Sequence, residues 1–146
     1  MSRSNPWLAW WLLMWAGAAP AFCWESAGRA HGIEPELLYA IAHVESGLRP
    51  QAMNHNPDGS RDIGLMQINS LHLPRLSGQG ITEQRLLEEP CLSVWVGASI
   101  LAQFIARHGY GWTAVGAYNA GGAGDRQAAR QRYARKVWRF YRVLVP

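Results

Sequence analysis

Apolar residues recur at helical spacing in several stretches of the chain. From Pro35 onward Leu37, Leu38, Ile41 and Val44 fall on one face, predicting a helix with proline at a favoured first position and stop signals at Gly47 and Pro50. A shorter helix is expected over Glu25 to His31. Pro90 opens a longer one to about His108, and its stripe Leu92, Trp95, Val96, Ile100 and Phe104 marks it as the central core helix, ended by Gly109 and Gly111. Trp112 to Asn119 reads as a short helix closed by Ala120-Gly121-Gly122-Ala123-Gly124. The last helix, Arg126 to Val145, turns Tyr133, Val137, Phe140, Tyr141 and Leu144 inward and most arginines outward.

Between these helices, Asn56-Pro57-Asp58-Gly59-Ser60 is a dense turn signal, with proline preset for a turn and glycine supplying positive φ. It predicts a hairpin of two strands, Ala52 to His55 and Arg61 to Ile63, followed by a helical turn over Leu65 to Ser70 and a loop from Leu73 to Thr82. The fold class expected is mainly α, one domain of short helices around a small β-hairpin.

The N-terminal residues have the layout of a secretory signal. Arg3 is basic, Trp7 to Ala18 is apolar, and Ala19-Pro20-Ala21 is a small-residue cleavage site. Residues 1–21 are therefore expected to be a signal peptide, and residues 22–146 a single exported, periplasmic domain with no membrane span after cleavage. The chain has two cysteines, Cys23 and Cys91. In an exported protein an even count favours a disulfide, worth about 4 kcal/mol for a loop of this length, with two buried thiols as the alternative.

Removing Arg3 lowers the formal charge of +4 by one, and the basic residues Arg126, Arg130, Arg132, Arg135, Lys136, Arg139 and Arg142 all follow Asp125. That balance suits an acidic polymer such as peptidoglycan, or simply a solvated helix face; export argues against nucleic acid. His43-Val44-Glu45 with Pro90-Cys91 is a fragment of the zinc-deaminase pattern, but the second cysteine it requires is replaced by Val94. The five histidines show no tight ligand pairing, so neither a metal nor a cofactor is expected.

Two carboxylates stand out. Glu45 follows Ile41 by four residues, continuing the buried face, and lies where the helix carbonyls end. Burial and the negative helix terminus both raise a carboxyl pKa, as a general acid near neutral pH requires. Asp62, seventeen residues on, has polar neighbours in Asn54, Asn56, Ser60 and Asn69, a setting that favours a charged carboxylate. One acid and one anion in unlike environments is the arrangement of glycoside cleavage. Asp58 reads as a turn residue.

The stretch from Glu45 to Ser70 resembles the corresponding segment of c-type lysozymes, with Glu45 at the catalytic-acid position and Asp62 at the catalytic-aspartate position. The wider chain is similar to the small lytic transglycosylases of the bacterial envelope. The matching motifs are Glu45-Ser46-Gly47, Gly64-Leu65-Met66-Gln67-Ile68-Asn69, Ala117-Tyr118-Asn119-Ala120-Gly121, and Tyr133 ahead of Val137. The resemblance implies a lysozyme-like α+β fold and cleavage of the β-1,4 bond between N-acetylmuramic acid and N-acetylglucosamine, with Glu45 as acid and then base and a 1,6-anhydro product. It places Gln67, Tyr118 and Asn119 on the groove wall, Tyr133 beside Glu45, and Ser46, Met66 and Asn69 against sugar. It also implies a type III or type IV secretion or pilus component as partner. Asp62 is a departure, since many of these enzymes manage with one glutamate. The alternatives are a lysozyme-type hydrolase using Asp62, or a non-catalytic glycan-binding assembly factor.

Overall fold

The computed structural model describes residues 23–146; the expected signal segment lies outside the described residues. Helices α1 (Trp24–His31) and α2 (Pro35–Ser46) lead into strands β1 (Met53–His55), β2 (Arg61–Ile63) and β3 (Ile68–Asn69). A 3-10 turn (Ser70–His72), α3 (Leu73–Ser77), α4 (Glu83–Glu88), α5 (Pro90–His108) and α6 (Trp112–Ala120) follow. A second 3-10 turn (Gly124–Arg126) then enters α7 (Gln127–Leu144).

α2 begins at its proline and stops where Gly47 adopts a φ of 61°, returning its N–H to carbonyls of the last turn. The five longer helices fall within one or two residues of the sequence expectation. The segment after the hairpin does not. Gly64 has a φ of +74° and Gln67 one of +51°, conformations that cannot continue a right-handed helix, so residues 65–70 do not form the expected helical turn. Instead Ile68 pairs with Ile63 and Asn69 with Asp62, adding a third antiparallel strand. Only glycine fits at position 64, because a Cβ there would lie 2.7 Å from the Leu86 carbonyl oxygen.

The expected loop from Leu73 to Thr82 contains α3, and α4 follows it. α3 has proline in its first turn, and α4 is capped by the Thr82 hydroxyl, which accepts from the Arg85 N–H at 3.2 Å. Both helices are too short for periodicity to register.

α5 runs through the core and packs against α1, α4, α6 and β3. It is long and apolar enough to cross a membrane by length and composition, yet Val94, Ala98 and Leu101 are completely buried among the other elements. The stripe read from the sequence is displaced: Val96 and Ile100 are buried, whereas Trp95 is 38% exposed and meets His31 edge-on at the surface. A helix covered on several sides buries a wide face, which includes the small residues Ser93, Gly97 and Ala98 that a stripe of large side chains overlooks. On α7, Tyr133 and Val137 are buried as expected, while Leu144 is 39% exposed. Each fully buried leucine or isoleucine contributes roughly 2 kcal/mol, and Leu38, Ile41, Ile63, Leu65, Ile68 and Leu101 belong to one continuous core.

Cys23 and Cys91 form a disulfide, with Cα atoms 5.4 Å apart, that ties the start of α1 to the first turn of α5. It fixes the N-terminal helix to the core helix across a separation of 68 residues.

Candidate active site

α2 and α7 pack side by side, and the strands follow the C-terminal end of α2 along the chain. The last turn of α2, the sheet, α6 and the turn ahead of α7 border a polar cavity of ≈ 360 Å³ whose walls include Glu45, Asp62, Gln67, Asn69, Tyr118 and Asn119. Glu45 and Asp62 thus face one space, the first from the last turn of a helix and the second from the central strand.

Glu45 is half-buried, and the Tyr133 hydroxyl of α7 donates to its Oε1 at 2.5 Å. Burial of the carboxyl dominates its electrostatics and pushes its pKa up to about 7. The Tyr133 hydrogen bond and, more weakly, Lys136 oppose that rise, whereas the Asp62 charge adds to it. A carboxyl with this pKa exists in both protonation states near neutrality, so it can give and take a proton within one cycle. Burial and the neighbouring Glu45 push Tyr133 well above the usual phenol value, so it remains a donor.

Asp62 is held from both sides. Asn56 Nδ2 donates to its Oδ2 at 3.0 Å and Asn69 Nδ2 to its Oδ1 at 2.9 Å. Register explains one partner, since Asn69 lies directly across from Asp62 in the sheet. Both asparagines also approach the Ser60 hydroxyl, at 3.0 and 3.2 Å, and that hydroxyl donates to Asp58 at 2.6 Å. The turn residue Asp58 therefore orders the network behind Asp62, and Ser60 in return holds the Asp58 carboxyl below its usual range.

Several residues expected against sugar have other partners. Ser46 is buried, with its hydroxyl 2.7 Å from the Leu65 carbonyl oxygen and 3.1 Å from that of Ala42; it pins the strand loop to α2. Met66 is fully buried in the core, so it has no free surface for a ligand. Its carbonyl instead accepts from the Tyr118 hydroxyl at 2.8 Å, which fixes Tyr118 against the cavity. Gln67 lines the cavity, but its Nε2 donates to the Gly64 and Ala52 carbonyls and its Oε1 accepts from Asn54 Nδ2 at 2.6 Å. Asn119 is exposed at the rim of the cavity.

The cavity also contains His72, Ile100 and Arg126, which the sequence reading did not place there. Arg126 lies seven residues past Asn119, just beyond the glycine-rich run, and that adjacency to the motif was its available signal. His72 sits on the 3-10 turn after β3, where no sequence pattern marks it. Burial and then Arg75 lower the His72 pKa, leaving the imidazole neutral near pH 7.

A helical domain whose small sheet sets one carboxylate facing another across a polar groove belongs to the lysozyme-like class of folds. Comparison with known proteins narrows the class. Residues 22–141 match the family model described as the transglycosylase SLT domain, so the chain belongs to that family and is a peptidoglycan lytic transglycosylase. It is similar to the invasion protein IagB of Salmonella typhimurium (strain SL1344), 54% identical over 92% of this chain and 83% of that protein. It is also similar to protein IpgF of Shigella flexneri, 46% identical over 83% of this chain and 80% of that one. An inactive mutant of the lytic transglycosylase Slt from Pseudomonas aeruginosa has the same fold, with a TM-score of 0.67 and 22% identity. That match covers 86% of this chain and 24% of the larger protein.

Proposed function

We propose that Glu45 carries the reaction as both acid and base, cleaving the β-1,4 bond between N-acetylmuramic acid and N-acetylglucosamine and leaving a 1,6-anhydro end. Protonated Glu45 gives its proton to the glycosidic oxygen as the bond from that oxygen to the muramyl C1 breaks. The muramyl C6 hydroxyl then bonds to C1, and its proton passes to the Glu45 carboxylate, restoring the acid. Asp62 stabilises the positive charge that develops at C1. Tyr133 holds Glu45 in place, and Tyr118 and Asn119 bound the sugar site.

The observation that carries this reading is a buried carboxyl with a pKa of about 7 sharing one cavity with an asparagine-held aspartate. The test is digestion of purified peptidoglycan by the protein and by its Glu45→Gln variant, with mass spectrometry of the released ends. Anhydro-muramic ends that vanish in the variant are expected, and unchanged cleavage by the variant would falsify the assignment of Glu45.

The lysozyme-like placement of Asp62 favours one second reading, a hydrolase in which water takes the place of the C6 hydroxyl. Reducing muramic ends in the same experiment would establish it.

The name of one relative supports a reading of the biological setting. One protein of similar sequence, IagB of Salmonella typhimurium, is named an invasion protein. An exported, periplasmic enzyme of this size would open the wall locally for a secretion or pilus machine. Recovery of no such component by pull-down from envelope extracts would refute that partnership.

A further inference from the structure

The catalytic cavity carries three carboxyl side chains, Glu45, Asp58 and Asp62, and the polymer assigned to it is itself acidic. Like charges brought together in a partly desolvated groove repel, so binding an acidic strand there requires a countercharge. His72 does not supply one, because burial keeps it neutral near pH 7. Arg126 is the remaining basic residue in the lining, and a guanidinium carries its charge at every working pH.

The local fold sets that guanidinium in place. Arg126 ends the 3-10 turn between α6 and α7, in the loop that follows the Ala117-Tyr118-Asn119 stretch. Arg130, one turn into α7, reaches back and donates to the Gly121 carbonyl at 3.1 Å and the Ala123 carbonyl at 2.6 Å. α6 and α7 approach closely enough for this because position 116 is glycine; a Cβ there would lie 2.5 Å from the Arg130 carbonyl oxygen. Arg130 thus spends its charge bracing the loop, while Arg126 is exposed. The ion pairs among the described residues join Arg61 to Glu83 and Arg85 to Glu89, so neither engages Arg126.

We propose that Arg126 is the specificity residue of the groove, its guanidinium taking a carboxylate borne on the 3-O substituent of the muramyl sugar. This rests on the peptidoglycan reading above. The same chemistry has two sources: the lactyl carboxylate of a strand stripped of peptide, or a carboxylate of the stem peptide. A strand whose carboxylates are masked forfeits the contact. Binding, and not the bond-breaking step, is what Arg126 governs.

The experiment compares the protein with Arg126→Gln and Arg126→Lys on three substrates: native peptidoglycan, amidase-stripped strands, and peptidoglycan amidated by carbodiimide and an amine. On at least one carboxylate-bearing substrate Arg126→Gln is expected to raise KM about tenfold with kcat little changed, and Arg126→Lys to recover part of the loss. On the amidated substrate the variants match the parent, and thermal midpoints are the same throughout. A defect confined to stripped strands assigns the lactyl group, and one confined to native material assigns the stem peptide; both support the proposal. An equal defect on all three substrates, or none on any, overturns it. A parent protein that releases no glycan ends from any substrate overturns the peptidoglycan reading itself, and the proposal with it.

Discussion

Tyr133 donates to Glu45 Oε1 at 2.5 Å across 88 residues of sequence, and so joins α7 to the C-terminal end of α2. This bond stabilises the anion of Glu45 and therefore holds down a pKa that burial raises. Tyr133→Phe removes the restraint without opening a large cavity. A hydrogen bond to a charged group contributes roughly 1.5–3 kcal/mol, so the pKa of Glu45 rises by about one unit or more. The alkaline limb of the pH–rate profile then moves to higher pH, while kcat near neutrality falls because the carboxyl becomes a weaker acid toward the glycosidic oxygen and loses the bond that orients it. Peptidoglycan clearing rates measured from pH 5 to pH 9 test both effects, and a limb that does not move refutes the coupling.

A carboxyl whose pKa is raised from 4.5 to about 7 on folding costs stability wherever the unfolded chain has already ionised. Below pH 4.5 both states are protonated and the cost is absent. Between the two values the unfolded state binds fewer protons than the folded one, so stability declines as pH rises, by roughly 3 kcal/mol in full. Glu45→Gln is neutral at every pH and escapes this loss. The variant is expected to match the parent in thermal midpoint at pH 4 and to exceed it by several degrees at pH 8. Calorimetry at the two values decides the matter, and an equal difference at both would assign the effect to packing.

The sequence made the long helices legible because their apolar residues repeat over many turns, and it made the hairpin legible because Pro57 and Gly59 announce a turn. β3, α3 and α4 were not, for a physical reason: two to six residues hold too few repeats to show a period. The site divides in a similar way. Glu45 was readable from its place on a buried face at a helix end, and Asp62 from its polar neighbours. Ser46 and Met66 were expected against sugar only because the family resemblance implied it, and the positive φ values at Gly64 and Gln67 swing this loop so that Met66 enters the core. Arg126 and His72 reach the cavity only through tertiary packing, which one-dimensional spacing does not encode.

Asp62 affects Glu45 in the sense opposite to Tyr133, since its charge raises the Glu45 pKa. Asp62→Asn should therefore shift the alkaline limb toward lower pH, whereas Tyr133→Phe shifts it higher. It should also cost about 100-fold in kcat, the scale of losing one electrostatic partner of a developing charge. If Asp62 acts through charge alone, the residual product keeps anhydro-muramic ends. Mass spectrometry of the ends left by Asp62→Asn separates this role from direct attack: a switch from reducing to anhydro ends would show Asp62 in the water-using route.

Gln67 lines the cavity, yet every polar atom of its side chain is engaged within the protein, with Asn54, Ala52 and Gly64. Its backbone has a φ of +51°, unusual for a residue with a side chain, so these bonds hold a conformation the chain would otherwise avoid. Gln67→Ala takes one donor from each of two carbonyls that keep a backbone N–H partner, removes the acceptor of the Asn54 amide, and should cost about 1–2 kcal/mol of stability. Gln67→Gly relieves the backbone while losing the same bonds, so it should cost less than the alanine change, an inversion of the usual order at sites away from positive φ. Denaturant midpoints for the two variants test this directly. A residue that served mainly to touch sugar would instead raise KM and leave both midpoints in place.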